Sequence, residues 1–82
     1  MPLTNISVKN TKPGEKPIKL FDGGGLFLHI APSGGKSWRL KYRFGGKEKL
    51  LTFGTYPEIT LSEAREQRDQ ARKLLATDID PG

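Results

Sequence analysis

The sequence predicts an α+β domain: a three-stranded antiparallel sheet packed against one C-terminal α-helix, with a short N-terminal helix and an extra short strand. Three observations carry this. Lys36 to Phe53 alternates apolar and polar residues around a central Gly45-Gly46 pair, the pattern of a two-strand hairpin. Leu26 to Ile30 alternates in the same way and precedes it. Thr60-Leu61-Ser62-Glu63 is a helix-start signal, followed by an amphipathic stretch.

The hairpin is the most informative stretch. Trp38, Leu40, Tyr42 and Phe44 alternate with Ser37, Arg39, Lys41 and Arg43. Side chains on a strand leave opposite faces with period two, so one face receives an apolar row and the other a cationic one. Two glycines supply the positive φ of a tight hairpin turn. The returning strand then places Leu51 and Phe53 toward the core, and Glu48, Leu50 and Thr52 beside the cations. Lys36 to Lys49 holds six Lys/Arg and one Glu, while the remaining residues hold eight of each sign. The +5 excess of the chain thus lies on one hairpin. A concentrated positive surface fits a polyanionic partner; a solvated sheet face kept charged against edge pairing is the other reading.

Leu26, Leu28 and Ile30 form the core face of the preceding strand, and Phe27 and His29 point toward Arg39 and Lys41. Phe27 is read either as packing against neighbouring stems or as an apolar contact for a thymine methyl. His29 is the only histidine, and there is no cysteine. A metal site is therefore not expected, nor any other cofactor, and no disulfide framework exists. Before this strand, Ile18 to Asp22 reads as the extra short strand. The following Gly23-Gly24-Gly25 reads as a turn or bulge, since a phosphate-binding glycine loop needs a helix after it.

At the N-terminus, Thr4 or Asn5 caps a short helix to about Asn10. Ile6 and the stem of Lys9 are placed on its packed side, with Val8 less well placed. The C-terminal helix runs from Leu61 to about Thr77. Thr60 and Glu63 form its capping box, and Ile59 staples to Ala64. Leu61, Ala64, Ala71, Leu74 and Leu75 make its inner stripe, completed by Gln67 or the stem of Arg68. Arg65, Arg72 and Lys73 mix with Glu63, Glu66 and Asp69 on an outer face read as solvated. Residues 78–82 read as the start of a linker, leaving 1–77 as the domain.

Catalytic chemistry is not expected. Ser33, Ser37 and Ser62 lack a histidine base in a nucleophile motif, and Tyr42 and Tyr56 each have a structural place. No apolar run reaches the length of a membrane span, and the N-terminus does not read as a signal peptide.

The residues collected so far resemble a known family. Asp22-Gly23-Gly24-Gly25-Leu26-Phe27-Leu28, Pro32-Ser33-Gly34-Gly35-Lys36-Ser37-Trp38-Arg39, Tyr42-Arg43, Leu51-Thr52-Phe53-Gly54-Thr55-Tyr56-Pro57, Leu61-Ser62-Glu63-Ala64-Arg65 and Asp80-Pro81 occur in this order. The order is similar to that of the N-terminal arm-type DNA-binding domains of prophage and genomic-island integrases, of the tyrosine recombinase class. Glu48 departs from the more basic usage common at that turn. The resemblance implies a sheet that enters the major groove of double-stranded DNA, as a module serving DNA integration and excision. It implies that residues 78–82 lead to core-binding and catalytic domains absent from this stretch. Other integrase protomers and accessory DNA-bending proteins are the further partners implied, in the bacterial cytoplasm at the nucleoid, with no membrane role. Arg39, Lys41 and Arg43 are the first-rank contacts; Phe27, His29, Ser37 and Thr52 share their face. Lys36, Lys47 and Lys49 lie at strand ends, where phosphates would pass. A protein–protein assembly module of a recombination complex is the alternative. RNA binding fits less well, because RNA platforms carry several exposed aromatics and one is counted here.

Overall fold

The computed structural model describes residues 3–82. The elements run α1 (Asn5–Asn10), β1 (Ile18–Gly23), β2 (Leu26–Ile30), β3 (Lys36–Phe44), β4 (Lys47–Tyr56) and α2 (Leu61–Ala76). The strands form one antiparallel sheet in the order β1-β2-β3-β4. The sheet therefore has four strands, and the expected count of three is corrected. The extra short strand does not stand apart. It pairs with β2 from Ile18 opposite Ile30 to Gly23 opposite Leu26, with a bulge between Phe21 and Gly23. Without it, β2 would be an open edge of unpaired backbone groups.

Gly25, in the turn between β1 and β2, lets the chain pass close against β3. Its φ is +90°, and a Cβ there would come within 2.3 Å of the Lys41 carbonyl oxygen. The approach lets the Lys41 amide donate to the Gly25 carbonyl at 2.9 Å. The β3–β4 turn is Gly45-Gly46, both at positive φ, with Phe44 opposite Lys47. This is the two-residue connection that the sequence demands.

The core lies between the sheet and the two helices. Leu26, Leu28, Ile30, Trp38, Leu40 and Tyr42 meet Leu61, Ala64 and Ala71 of α2 and Val8 of α1. The period-two pattern of β3 is realised: Trp38, Leu40 and Tyr42 are buried while Lys41 and Arg43 are exposed. Trp38 is fully buried, and its indole N–H donates to the Ile59 carbonyl at 2.7 Å. This ties the central strand to the residue before the α2 cap. The small Ala64 and Ala71 let α2 sit close to the sheet. Leu75 is partly covered, whereas Leu74 remains 39% exposed and leaves the inner stripe.

In α1 the packed residue is Val8, fully buried, while Ile6 is 72% exposed. This reverses the expected orientation. Thr4 is the N-cap in a capping box with Ser7. Val8 is therefore N4 and Leu3 is N′, the two positions of a hydrophobic staple; Val8 belongs to the core and the partly buried Leu3 packs against it. The Lys36 ammonium donates to the Val8 and Lys9 carbonyls at 2.7 and 3.1 Å, satisfying free acceptors at the end of α1.

One buried carboxylate joins three separated segments. The Asp22 side chain is 1% exposed. It accepts from the Leu3 amide at 2.7 Å, from Arg65 Nε and Nη2 at 2.9 and 2.8 Å, and from Arg68 Nη1 at 2.9 Å. Arg65 also donates to the Leu3 carbonyl at 2.7 Å. The arginines leave α2 one turn apart and converge on β1. Arg65 is thus a structural ion-pair partner and not a residue of a solvated outer face. Hydrogen bonds from Arg65, then that of the Leu3 amide, then the two guanidinium charges hold the Asp22 pKa below its usual value, against the opposing effect of burial.

This architecture generates two stability predictions. Thr60→Ala removes the acceptor for the Glu63 amide and should cost about 1 kcal/mol in a urea melt; an unchanged midpoint would mean that the cap contributes nothing. Asp22→Asn should cost about 2 kcal/mol, below the usual range for a broken buried pair because both arginines reach solvent. Because the folded pKa of Asp22 is depressed, its contribution is fully present above the unfolded value near 3.8 and is lost as pH falls through the folded value. Melts from pH 7 to pH 2 should show the Asn variant with a shallower acid limb than wild type. Equal acid limbs would contradict the role given to this carboxylate.

Candidate nucleic-acid interface

The face of the sheet away from α2 is built in rows set by strand register. Lys19, His29, Ser37 and Thr55 stand opposite one another across the four strands. Phe21, Phe27, Arg39 and Thr52 form the next row. Beyond the end of β2, only β3 and β4 continue, with Lys41 opposite Leu50 and Arg43 opposite Glu48. That projecting part is a two-stranded ribbon, a shape the DNA major groove admits. A shallow depression runs from Pro17 and Lys19 across His29 and Arg39 to Leu50.

Arg39, Lys41, Arg43, Phe27, His29, Ser37 and Thr52 are brought together on this one face. Their exposures differ from expectation in two respects. Phe27 is 3% exposed and is not a free aromatic. Phe21 packs against it with ring centroids 5.6 Å apart, and the Lys19 ammonium lies 5.6 Å from its centroid. The exposed aromatic is Phe21, at 60%. The apolar contact assigned to Phe27 is therefore corrected: pairing of β1 beside β2 covers it. Second, Lys41 is in an ion pair with Glu48 at 2.7 Å, both side chains being largely solvated.

Lys36, Lys47 and Lys49 belong to the opposite face by parity. Lys36 is spent on the α1 carbonyls. Lys47 lies opposite Phe44, and Lys49 opposite Tyr42. The Lys49 ammonium pairs with Asp80, which also accepts from the Tyr42 hydroxyl at 2.7 Å and from the Gly82 amide at 2.9 Å. Lys49, then Tyr42 and Gly82, bring the Asp80 pKa down to about 2. Asp80 in turn raises the Tyr42 and Lys49 pKa values. The end of the chain is thus fastened beneath the hairpin, on the side away from the cationic rows. The signal for Lys49 lay in the turn itself: a two-residue connection after Phe44 fixes Lys49 opposite buried Tyr42.

Lys19 and Phe21 were missed as members of this surface, whereas Leu50 was placed beside the cations. Lys19 and Phe21 follow from the parity of β1 once it joins the sheet. Leu50, 53% exposed beside Lys41, follows from the hairpin alternation alone. His29 is held below its ordinary pKa by burial first, and then by the charges of Arg39 and Lys19. Among the described residues, no cluster of His and acidic side chains is arranged to hold a metal ion, and no helix is long and apolar enough to cross a membrane.

The sheet face thus carries two guanidinium groups, of Arg39 and Arg43, with no carboxylate partner among the described residues, and it is backed by a helix and extended by a projecting ribbon. Residues 3–82 match the arm DNA-binding domain family, and the chain belongs to it. It is 49% identical over 79 residues to an integrase of Shigella phage Sf6, covering 96% of this chain and 20% of that protein. A prophage integrase of Escherichia coli strain K12 gives the same identity and coverage. An integrase of Enterobacteria phage P4 is 47% identical over 83 residues, 99% of this chain and 19% of the relative. The chain spans about one fifth of the length of these curated relatives.

The placement of Lys36 and Lys49 generates a prediction independent of any ligand. Lys49→Met should destabilise the domain and release the Asp80 segment, read in a spectrophotometric alkaline titration as a fall of the Tyr42 pKa, because the lost hydrogen bond to Asp80 that raises it outweighs the lost charge of Lys49 that lowers it. A Tyr42 titration identical to wild type would show that Asp80 is not fastened by Lys49.

Proposed function

We propose that this chain binds duplex DNA through the outer face of its sheet, with the projecting ribbon of β3 and β4 in the major groove. The carrying observation is the alternation of β3. Arg39, Lys41 and Arg43 leave one face together because Trp38, Leu40 and Tyr42 are buried on the other. Arginine can pair bidentately with a guanine edge or with a phosphate, and lysine acts as a point charge. Arg39 and Arg43 have no carboxylate partner among the described residues, whereas Lys41 is partly neutralised by Glu48. The arginines therefore carry more of the contact than Lys41. In the parent protein this module holds a recombinase on arm sites during integration and excision. We assign strand cleavage, and with it the tyrosine recombinase class, to domains outside this stretch. Support comes from the resemblance in motif order and from the short share of each relative that the chain covers.

Binding to a preferred and a random duplex should be titrated across a salt series. Arg39→Ala and Arg43→Ala should each lower the log–log salt slope by about one unit if they hold phosphate, or cost about 1–3 kcal/mol on the preferred site alone if they read guanine. Lys41→Ala should do less than either. Glu48→Gln should tighten binding and steepen the slope, because it frees Lys41. Wild-type binding by an Arg39/Arg43 double variant, with loss in Arg72 and Lys73 variants, would put the DNA on the helix side and sink this reading. Binding to a protein partner that is insensitive to salt would favour an assembly module instead.

A further inference from the structure

Most cations near the sheet are already engaged. Arg65 and Arg68 hold Asp22, Lys49 holds Asp80, Lys41 meets Glu48, and Lys36 caps α1. One corner of the outer face differs. Lys19 on β1 stands directly opposite His29 on β2, and His29 stands opposite Ser37 on β3. Arg39 is the next outward residue of β3, diagonal to His29, within reach of a long side chain. No carboxylate pairs with Lys19 or Arg39 among the described residues, and Arg39 Nε is buried with no hydrogen-bond partner. All but Ser37 line the same depression.

Each strand of the sheet brings its own groups toward His29. From β1 comes Lys19, and from β3 come Ser37 and Arg39. Across β3 lies Thr55 of β4, whose hydroxyl donates to Glu58. Glu48 lies farther along the depression, engaged with Lys41. The helices lie on the other side of the sheet. The imidazole is therefore set among cations, and the carboxylates around it are occupied elsewhere. A buried guanidinium nitrogen without an acceptor and two uncompensated charges around a histidine form an arrangement that an anion stabilises.

We propose that Lys19, His29, Ser37 and Arg39 form a phosphate-binding site for one DNA backbone phosphate, and that His29 takes up a proton from solvent when the phosphate binds. This rests on the DNA-binding reading above and places a phosphate clamp on the β1–β3 side of the ribbon. The phosphodiester oxygen accepts from Lys19, Arg39 and the Ser37 hydroxyl. Its negative charge offsets one of the two positive charges that oppose protonation and offers the imidazole an acceptor, so the imidazole gains a proton and becomes a further charged donor. In the free protein burial, Arg39 and Lys19 hold the His29 pKa below 6.5. Binding raises it. Between the two values binding is accompanied by proton uptake, and affinity rises as pH falls. Outside that window the dependence disappears. A tenfold gain in proton affinity on binding corresponds to about a tenfold gain in DNA affinity across the window.

His29 is the only histidine in the chain, so its imidazole proton resonance is unambiguous. The test follows that resonance from pH 5 to pH 8, free and with a saturating duplex. The free titration should lie below 6.5, and the bound one at a pH higher by about one or more. Wild-type affinity should rise several-fold from pH 7.5 to pH 5.5, and His29→Gln should abolish that rise while retaining salt-dependent binding. Tight, salt-dependent binding with an unmoved imidazole titration would overturn the clamp and leave the DNA-binding reading intact. Failure to bind any duplex would overturn both.

Discussion

The pleat of β3 is the constraint on which the molecule depends. A strand offers only two faces, and the two helices cover only one of them. Trp38, Leu40 and Tyr42 take the covered face, which commits Ser37, Arg39, Lys41 and Arg43 to the open one. A slip of one residue would bury the cations and expose the tryptophan. The register is pinned at both ends. Gly45-Gly46 closes the hairpin, and the Trp38 indole donates to the Ile59 carbonyl just before α2. The same side chains that build the core thereby aim the charged row outward.

The back of the domain removes competing charge. Asp22 gathers Arg65 and Arg68, and Asp80 gathers Lys49. The first cluster ties Leu3, the β1 end and α2 to one another, the second ties residues 80–82 to β3 and β4, and both leave fewer free cations on the helix side. The positive excess of the chain is then presented mainly by the sheet face and the ribbon. Glu48 is the exception, an acid on the ribbon itself that tempers Lys41.

What the sequence made legible was local. Alternation around Gly45-Gly46 located the two faces of the hairpin, and the Thr60–Glu63 capping box located the start of α2. The family was legible too, from the order of short motifs. What it hid was contact between distant segments. Asp22 gives no sign that it will meet Arg65, Arg68 and Leu3, because the approach of α2 to β1 is a tertiary event. Phe27 looked exposed because β1 had not been placed beside it. Two misses had a local signal. Leu3 and Val8 flank the Thr4 cap as a staple, the same grammar that was applied to Ile59 and Ala64 at α2. Lys36 and Lys49 share the parity of Trp38 and, across the turn, of Tyr42.

The central claim is that the open face of the sheet, and not the helix side, meets DNA. Amide chemical-shift mapping of the chain with a short duplex tests it most directly, because every strand and helix reports at once. The largest changes should fall on Lys19, His29, Arg39, Lys41, Arg43, Leu50 and Thr52, with α2 little affected. Changes concentrated on α2 around Arg72 and Lys73, with a silent β3, would contradict it.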